Sequence, residues 1–239
     1  MNTIKVDKLE INNDKPFVLI AGLNVLEDEK TIESVITKCI ESTSKHNIPF
    51  IFKASYDKAN RSSIDSYRGP GAKQGLEILR ELKQDFAVPV ISDIHTPLEA
   101  ELASDVLDII QIPAFLSRQT DLIEAACQTS LPLNIKKGQF LAPSDMLNIL
   151  KKCSYFNNDK VMICERGTSF GYNNLVVDML GVNELKKTQQ PIIFDVTHSL
   201  QRPGGLGDKA DGRGSNVLEL ARSGMSLGLA GLFLETHPN

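Results

Sequence analysis

A short basic segment, residues 52–63, holds the residue types best suited to chemistry. It reads FKASYDKANRSS, and the five cations between Lys53 and Lys73 are accompanied only by Asp57 and Asp65, in a chain of formal net charge -4. Cations held among small hydroxyl and amide side chains suit a doubly or triply charged anion, because hydrogen bonds to charged oxygens are the strong ones. The alternative is a solvated loop that happens to be basic. Since so many donors accompany so little apolar anchoring, the segment favours an anion site.

Polar or charged residues also follow the ends of the other apolar runs along the chain. In chain order these are Lys53, Ser55, Lys58, Asn60 and Arg61; Asp93 and His95; Gln111 and Ala114; Lys136, Lys137 and Gln139; Glu165 and Arg166; Asp195 and His198; Glu235 and His237. Any one of them alone is more simply explained as a hydrogen-bonded core group or a rim charge. Together they indicate one polar pocket, because charged side chains almost never enter a core unless they are paired.

The pocket holds more positive charge than a neutral sugar requires. A phosphate and a carboxylate together would suit the cations Lys53, Lys58, Lys136 and Arg166. Arg61, on its longer loop, is placed to serve a second phosphate, in its own subunit or in a neighbouring one. Residue types that bind metals are present as Asp93, His95, His198 and Glu235. A complete ligand set is not visible among them, and we expect no tightly bound, required metal.

Eight apolar runs alternate with helical patterns, which predicts strands connected by helices. The strand candidates are Phe17–Ala21, Phe50–Lys53, Val88–Ser92, Ile109–Ile112, Leu133–Lys136, Val161–Cys164, Ile192–Val196 and Gly231–Glu235. They are apolar nearly throughout, as strands buried on both faces of a parallel sheet are. The repeats predict an α/β fold closed into a (β/α)8 TIM barrel, with functional residues at the carboxyl ends of the strands. An open doubly wound sheet is the competing architecture, but no strand is followed by Gly-x-Gly-x-x-Gly.

Apolar residues at helical spacing mark several of the connections. They are Ile32, Val35, Ile36, Cys39 and Ile40; Leu76, Leu79 and Leu82; Met146, Leu147, Ile149 and Leu150, after a helix start at Pro143-Ser144-Asp145; Leu175, Val176, Met179 and Leu180; and Val217, Leu218 and Ala221. Residues 4–11, with a turn at residues 12–15, are predicted to form a β-hairpin that plugs the barrel floor. We expect a single barrel domain over residues 1–239, with the hairpin at about residues 1–15.

The composition narrows the class of protein. A chain of 239 residues with 41% hydrophobic content is able to bury a sizeable core. No run is long enough to cross a bilayer and the N-terminus has no apolar signal core, so we expect a cytoplasmic protein without a membrane partner. Four widely spaced cysteines are typical of reduced thiols rather than of a disulfide framework or a zinc site. The sequence pI of about 5.6 argues against a nucleic-acid partner.

Six longer motifs point to a family. They are Phe52–Gly71 (FKASYDKANRSSIDSYRGPG), Gln111–Asp121 (QIPAFLSRQTD), Asn134–Phe140 (NIKKGQF), Cys164–Met179 (CERGTSFGYNNLVVDM), Phe194–Gln201 (FDVTHSLQ) and Gly231–Pro238 (GLFLETHP). In these motifs, and from about Phe17 to Pro238 overall, the chain resembles the 3-deoxy-D-manno-octulosonate 8-phosphate synthases. That family also contains the deoxyheptulosonate phosphate synthases of aromatic biosynthesis. Their sequences resemble Lys-Pro-Arg-Thr at the position where this chain has Lys-Ala-Asn-Arg-Ser-Ser.

The resemblance implies a cofactor-free enzyme that condenses phosphoenolpyruvate with D-arabinose 5-phosphate and water and releases inorganic phosphate, for the Kdo of lipopolysaccharide. It implies that phosphoenolpyruvate is bound or polarised by Lys53, Ser55, Lys58, Lys136, Gln139 and Arg166, with Gln111 and Ala114 beside them. Arabinose 5-phosphate would be bound by Asn60, Arg61 and Ser62, the last two reaching across an interface of a homotetramer. The implied catalytic group is Lys136, His198, Asn24, Asp93 and Glu235.

Members of the family are either metal-dependent or metal-independent. In the metal-dependent kind, the end of the first strand resembles Pro-Cys, and the Cys is a metal ligand. This chain reads Gly22-Leu23-Asn24-Val25 at that place. An amide is a poor ligand for soft divalent metals, which places the chain with the metal-independent kind. His198 and Glu235 would then remain as groups that orient water.

Two features depart from the family pattern. An Asp-bearing loop of Lys-Cys-Asp-Gly-Pro character, expected after His237-Pro238, is absent, and the Gly-rich loop Arg202–Gly214 is expected to be mobile. The sequence stops at Asn239, directly after the eighth strand, so we expect the eighth helix of the barrel to be missing. The expectation is that the natural C-terminus was cut or that the sequence is not the whole gene product.

Two other functions stay open on the residues alone. One is a barrel aldolase that forms a Schiff base on Lys136. The other is a non-catalytic protein that binds sugar phosphates on the same scaffold. Borohydride trapping with a keto substrate would identify the first, and ligand-induced stabilisation without phosphate release would identify the second.

Overall fold

Strands and helices alternate along the chain in the computed structural model, which describes residues 1–204 and 211–238. The strands are β1 Ile4–Val6, β2 Leu9–Ile11, β3 Val18–Val25, β4 Phe50–Ser55, β5 Val90–Asp93, β6 Ile109–Ile112, β7 Leu133–Lys136, β8 Val161–Glu165, β9 Thr168–Ser169, β10 Leu175–Val176, β11 Ile192–Asp195, β12 Gln201–Arg202, β13 Asp211–Gly212 and β14 Gly231–Glu235. The helices are α1 Glu29–Ser44, α2 Ala72–Phe86, α3 Pro97–Ser104, α4 Thr120–Gln128, α5 Met146–Tyr155, α6 Met179–Lys186, α7 Val196–Ser199 and α8 Val217–Met225.

Eight of these strands are hydrogen-bonded into a closed barrel, in the order β11-β14-β3-β4-β5-β6-β7-β8. All of the barrel pairs are parallel, and each strand lies beside its neighbour in the chain sequence, with β14 closing onto β3. The predicted (β/α)8 barrel is therefore confirmed, and every strand candidate overlaps a barrel strand. None of the helices in residues 1–204 and 211–238 is long and apolar enough to cross a membrane.

Apolar side chains on the two faces of the barrel strands form two separate cores. One core lies inside the barrel, and its members include Ile20, Ile51, Ile91, Ile109 and Ile193. The other lies between the strands and the surrounding helices. Since successive residues of a strand point to opposite faces, Lys53 and Ser55 continue the inward face that begins with Ile51. The inside of the barrel thus changes from apolar to polar towards the carboxyl ends of its strands.

The predicted hairpin is present and closes the amino-terminal end of the barrel. Strands β1 and β2 pair antiparallel around a turn at residues 7 and 8, and Ile4, Val6 and Ile11 join the inner core. The Asn13 side chain fixes the hairpin to the barrel: its oxygen accepts hydrogen bonds from the backbone of Ile192 at 2.8 Å and of Ala230 at 3.1 Å. Residues 12–15, predicted as a turn, lead from the hairpin into β3.

Strand β3 passes very close to β4 near its end, and this contact requires glycine. A Cβ atom on Gly22 would lie 2.1 Å from the backbone oxygen of Lys53. The register between the two strands shifts between Gly22 and Val25, as at a β-bulge, which re-aims the end of a strand. As a result the backbone oxygen of Asn24 lies 3.0 Å from Lys53 Nζ.

Two predicted element positions were wrong. Leu175 and Val176 form β10, paired with β9, instead of the start of a helix, and α6 begins at Met179 behind the cap of Asp178. Val196 begins α7 rather than ending a strand, because the Asp195 side chain accepts a hydrogen bond from the backbone of His198 and caps the helix.

Helices α3 and α4 were not marked by apolar spacing. The buried face of α3 consists of Ala100 and Ala103, which give only a weak periodic signal. Residues 236–238 after β14 form no helix. The loop predicted to be mobile, Arg202–Gly214, includes residues 205–210, which lie outside the described residues.

Candidate active site

Lysines from β4 and its loop meet carboxylates from β5 and β14 at the carboxyl end of the barrel. Lys53 Nζ lies 2.7 Å from Glu235 Oε1, and Lys58 Nζ lies 3.7 Å from that same oxygen. Lys58 Nζ also lies 3.8 Å from Asp93 Oδ2, while Ser55 Oγ donates to the other oxygen of Asp93. These side chains are buried, and buried charges are tolerated when they are paired in this way.

Lys53 has no free hydrogen to offer a substrate. Besides Glu235, its ammonium donates to the backbone oxygens of Leu23 at 3.1 Å and of Asn24 at 3.0 Å, which uses all three hydrogens. A substrate oxygen would have to displace one of these acceptors. In this geometry Lys53 holds Glu235 and the end of β3 in place.

A second cluster joins β7, β11 and β14. Lys136 Nζ donates to Asp195 Oδ2, and His198 Nδ1 lies 2.7 Å from the same oxygen. The other ring nitrogen of His198, Nε2, lies 3.5 Å from Glu235 Oε2. Lys136 Nζ also lies 3.2 Å from the centre of the Phe233 ring, a cation–π contact. Through Glu235 the two clusters form one continuous charged network.

The carboxylates of this network stay ionised despite their burial. Burial alone would raise the pKa of Glu235, but nearby His198 and Lys53 outweigh it and hold that pKa below its ordinary range. Burial likewise opposes ionisation of Asp195, yet His198 and Lys136 lower the pKa of that carboxyl. Both groups therefore act as hydrogen-bond acceptors at neutral pH.

The two lysines of the first cluster respond differently to burial. For Lys53 burial is the dominant influence and lowers the pKa to about 8, with Glu235 only partly opposing it. For Lys58 burial is outweighed by Asp93 and Glu235, so its pKa is raised. Lys53 is consequently a cation that can lose its proton just above neutral pH.

Arg166, directly after β8, offers a buried guanidinium edge that has no hydrogen-bond partner within residues 1–204 and 211–238. Its NH2 nitrogen donates to Gln201 Oε1 at 3.3 Å, whereas its NH1 nitrogen is buried and makes no hydrogen bond. Burial lowers the pKa of Arg166. A buried, positively charged donor with nothing to bind is suited to an anionic ligand.

The amide side chains near Arg166 come from β6, β7 and the β7 loop. Gln139 is buried, and its side-chain oxygen has no hydrogen-bond partner in the part of the chain that the structure describes. Gln111 Oε1 accepts from Asn134 Nδ2 at 3.0 Å, so β7 fixes the orientation of the Gln111 amide. Ala114 lies half-buried in a single 3-10 turn, Ala114–Leu116, and contributes backbone groups only.

The loop after Lys58 places the remaining predicted residues outside the buried network. Asn60, Arg61 and Ser62 are all exposed. Arg61 Nε donates to the backbone oxygen of Tyr67 at 3.2 Å, within the same loop. The structure therefore separates the basic segment into a buried part, which belongs to the charged network, and an exposed part.

His95 is held by a layer of residues behind the network. His95 Nε2 lies 3.5 Å from Asp93 Oδ2 and His95 Nδ1 lies 3.2 Å from Glu99 Oε2, an oxygen that also accepts from the Tyr56 hydroxyl at 2.7 Å. Burial opposes protonation of His95, but hydrogen bonds to Asp93 and Glu99 raise its pKa to about 9.

The donor set does not fit a resident divalent metal. Glu235, one of the candidate ligands, already accepts from Lys53 and has Lys58 nearby, while His198 is bound to Asp195. Asn24 supplies an amide where a soft metal prefers a thiolate. No group of three His, Cys, Asp or Glu side chains suited to a metal ion occurs within residues 1–204 and 211–238.

Comparison with known proteins gives a family and a set of close relatives. The sequence model of the DAHP synthetase I family matches residues 2–239. The chain belongs to this family. The 2-dehydro-3-deoxyphosphooctonate aldolase of Hahella chejuensis is 58% identical over 99% of this chain and 84% of that protein. The protein of the same name from Shewanella amazonensis is 56% identical over 100% of this chain and 85% of its own length. The resemblance inferred from the six motifs is thus confirmed.

In this DAHP synthetase I family barrel, sequence reasoning placed Asp195 in the polar pocket without giving it a role, and it missed Asn134 and Gln201 as residues that organise the site. Asp195 holds both Lys136 and His198, and its place at the end of β11 is the same strand-end signal that identified its neighbours. Asn134, which orients Gln111, sits inside an otherwise apolar strand and was detectable as a polar exception. Gln201, the partner of Arg166, begins β12 directly after the cap of α7, follows no apolar run and carries no comparable signal.

Proposed function

We propose that this chain condenses phosphoenolpyruvate with D-arabinose 5-phosphate and water, giving 3-deoxy-D-manno-octulosonate 8-phosphate and inorganic phosphate, as a transferase of Kdo biosynthesis. The single observation that carries the proposal is the 55–58% identity to 2-dehydro-3-deoxyphosphooctonate aldolases over nearly the whole chain. The buried cations at the carboxyl end of the barrel support it, because both substrates are anions.

Phosphoenolpyruvate lies in the part of the site that has unused positive charge. The NH1 edge of Arg166 takes its phosphate or carboxylate, with Lys136 and Lys58 as further cations. Gln139 and Ser55 complete the hydrogen bonds, and Gln111 and Ala114 form the adjacent wall. Lys53 acts by holding Glu235 rather than by direct contact, since its hydrogens are already used.

The reaction forms a bond between carbon 3 of the enol phosphate and the aldehyde carbon of the sugar. Positive charge then develops at carbon 2 and negative charge on the aldehyde oxygen, which takes up a proton. Lys136 and neighbouring donors stabilise the oxygen, and fixed donors of this kind supply a large share of catalysis. A water molecule adds to carbon 2 and loses a proton, after which the carbon–oxygen bond to phosphate breaks.

His198 is the residue best placed to orient that water. Its Nδ1 is bound to Asp195, which fixes the ring, while Nε2 and Glu235 Oε2 are 3.5 Å apart and face each other across the site. The backbone oxygen of Asn24 accepts a hydrogen bond from Lys53, which also binds Glu235, and Asn24 thereby lines the site beside Glu235. Asp93 holds Ser55 and lies beside Lys58, which keeps both at the substrate.

Arabinose 5-phosphate is bound by the exposed loop that carries Asn60, Arg61 and Ser62. The planar fork of Arg61 is able to take two phosphate oxygens at once. These side chains lie outside the buried network of their own barrel, and we propose that they serve the site of a neighbouring subunit in a homotetramer. The reaction takes place in the cytoplasm, consistent with the four free thiols.

The test is phosphate release from phosphoenolpyruvate by the purified chain, with and without arabinose 5-phosphate. Release is expected only when both substrates are present. Arabinose without its phosphate is the matched control and is expected to give little release. Absence of release with both substrates would contradict the proposal, and stable modification of Lys136 by borohydride and a keto substrate would favour a Schiff-base aldolase.

A further inference from the structure

Lys137 is buried like its neighbour Lys136, but its partners are different. Lys136 donates to Asp195 in the charged network. Lys137 follows it directly, and the side chain of Lys137 is only 1% exposed. Burying a lysine so completely costs a large solvation free energy unless its charge and hydrogens are matched. The surroundings of Lys137 must therefore match both its charge and its hydrogens.

The Lys137 ammonium joins the loop after β7 to the loop after β8. From the first loop, the backbone oxygens of Leu141 and Gly138 accept at 3.2 and 3.5 Å. From the second loop, Thr168 Oγ1 accepts at 3.1 Å and Glu165 Oε2 lies at 3.6 Å. With these partners around it, Lys137 has little left to offer a substrate.

Each of the two loops carries one side chain of the anion site. Gln139 lies in the first loop, between the two backbone oxygens that Lys137 binds, and Arg166 lies in the second loop, beside Glu165. The second oxygen of Glu165 accepts from the backbone nitrogens of Arg166 at 2.9 Å and of Gly167 at 2.6 Å. Glu165 thus connects the Lys137 charge directly to the backbone that carries Arg166.

We propose that Lys137 is a positioning residue that fixes Arg166 and Gln139 relative to each other and so sets the affinity for phosphoenolpyruvate. The backbone nitrogen of Ser169 also donates a hydrogen bond to the backbone oxygen of Gln139 at 3.0 Å and so joins the two loops. This bond does not involve the Lys137 ammonium. Without Lys137, the buried Glu165 carboxylate loses the cation at 3.6 Å, and the two loops lose the side chain that binds both of them. The identity of the anion, though not the positioning itself, rests on the proposed function.

The experiment is a double-mutant cycle on phosphoenolpyruvate affinity, measured by calorimetric titration. Lys137→Met is expected to weaken binding on the order of tenfold, which corresponds to about 1.4 kcal/mol. In an Arg166→Ala background the same change is expected to have a clearly smaller effect, because Arg166, one of the two groups that Lys137 positions, is gone. Glu165→Gln, which keeps the side-chain oxygen that caps the loop, serves as a second variant if Lys137→Met does not fold.

Lys152→Met is the matched control for this cycle. Lys152 also bridges a helix and a loop, by donating to Arg118 O and Thr120 Oγ1 at 2.8 Å each. The control is expected to leave phosphoenolpyruvate affinity within about twofold. Additive effects of Lys137→Met and Arg166→Ala, or an unchanged affinity in Lys137→Met and Glu165→Gln, would overturn the inference.

The two proposals fail in distinguishable ways. If the wild-type chain binds phosphoenolpyruvate or inorganic phosphate with the expected coupling but does not turn over, the proposed function is wrong and the positioning role stands. If the wild-type chain binds neither anion, the anion site is wrong and Lys137 has no such role.

Discussion

The charge of Lys53 governs the most enclosed part of the site. Its ammonium joins Glu235 to the end of β3 and is completely buried. Because burial lowers its pKa to about 8, a modest rise in pH removes a proton that the network depends on. Glu235, which faces His198, then loses its nearest cation.

We therefore expect kcat/KM for phosphoenolpyruvate to fall as the pH rises through about 8. The value of kcat/KM falls because the form with protonated Lys53 is the active one. Below this pH Lys53 is charged and paired with Glu235, and above it Glu235 loses that partner. The measurement is a pH profile of wild type and of Lys53→Arg, whose guanidinium stays protonated and should remove this limb of the profile. A wild-type profile that stays flat beyond the pKa of His95, about 9, would contradict the assignment.

Asn24 leads to an expectation about metals. Its amide is a poor ligand, and the nearby Glu235 is neutralised by lysine. Prolonged treatment with EDTA should leave activity nearly unchanged, and added manganese or zinc should not increase it. The comparison is the rate of phosphate release before and after chelation. A loss of activity to EDTA that manganese or zinc restores would show that this interpretation is wrong.

The hairpin β1–β2 and the barrel strands it covers depend on one another through Asn13. The side chain of Asn13 accepts from two buried backbone nitrogens, on β11 and just before β14, and donates to the Gln190 oxygen at 2.9 Å. Those two strands also carry Asp195 and Glu235 at their opposite ends. The floor of the barrel thus helps to fix the strands that deliver the catalytic groups.

Asn13→Ala should lower the free energy of unfolding by about 2–3 kcal/mol, since it leaves the buried Ile192 nitrogen without its acceptor and the Gln190 oxygen without its donor, while the Ala230 nitrogen keeps its bond to the Ile192 oxygen. Asn12→Ala is the control: among the described residues its side chain bonds to Thr3 and to the backbone of Asp14, both in or next to the hairpin, and we expect a loss of about 1 kcal/mol. Urea denaturation measures both values. Equal losses in the two variants would mean that Asn13 does not anchor the hairpin.

The sequence was a good guide to the barrel because its strands are buried on both faces. Runs such as Ile109–Ile112 and Leu133–Lys136 have no competing pattern, and their predicted bounds match β6 and β7. Alanine-faced α3 and the two-residue strands β9 and β10 gave no such signal, since their structure depends on contacts with the rest of the fold. The charged residues lie together at one end of the barrel, as predicted from their positions at the carboxyl ends of the strands.

Partner choice within the site was not predictable from the residue types. The sequence indicates Lys53 and Lys136 as free cations for a substrate, yet both are bound to carboxylates in the structure. The three-dimensional arrangement is needed to identify Arg166 NH1 as a buried donor of the site that has no hydrogen-bond partner among the described residues. Which cation is available depends on distances between strands that lie far apart in the sequence.

The arrangement of subunits in the oligomer determines whether Arg61 acts in its own barrel or in a neighbouring one. Arg61→Ala should raise KM for arabinose 5-phosphate far more than KM for phosphoenolpyruvate. If Arg61 crosses an interface, oligomers mixed from Arg61→Ala and Arg166→Ala subunits should regain activity, since some sites then escape both defects. Oligomers carrying both changes in every subunit are the control and should stay inactive. No recovery in verified hybrids would mean that Arg61 serves its own barrel.

The most direct test of the whole account is the stoichiometry of the reaction, followed by phosphorus NMR on the purified chain. The account predicts that phosphoenolpyruvate and arabinose 5-phosphate disappear in equal amounts, while inorganic phosphate and one new phosphomonoester appear in those same amounts. Release of phosphate from phosphoenolpyruvate without consumption of the sugar phosphate would contradict it, as would a mixture in which neither substrate signal declines.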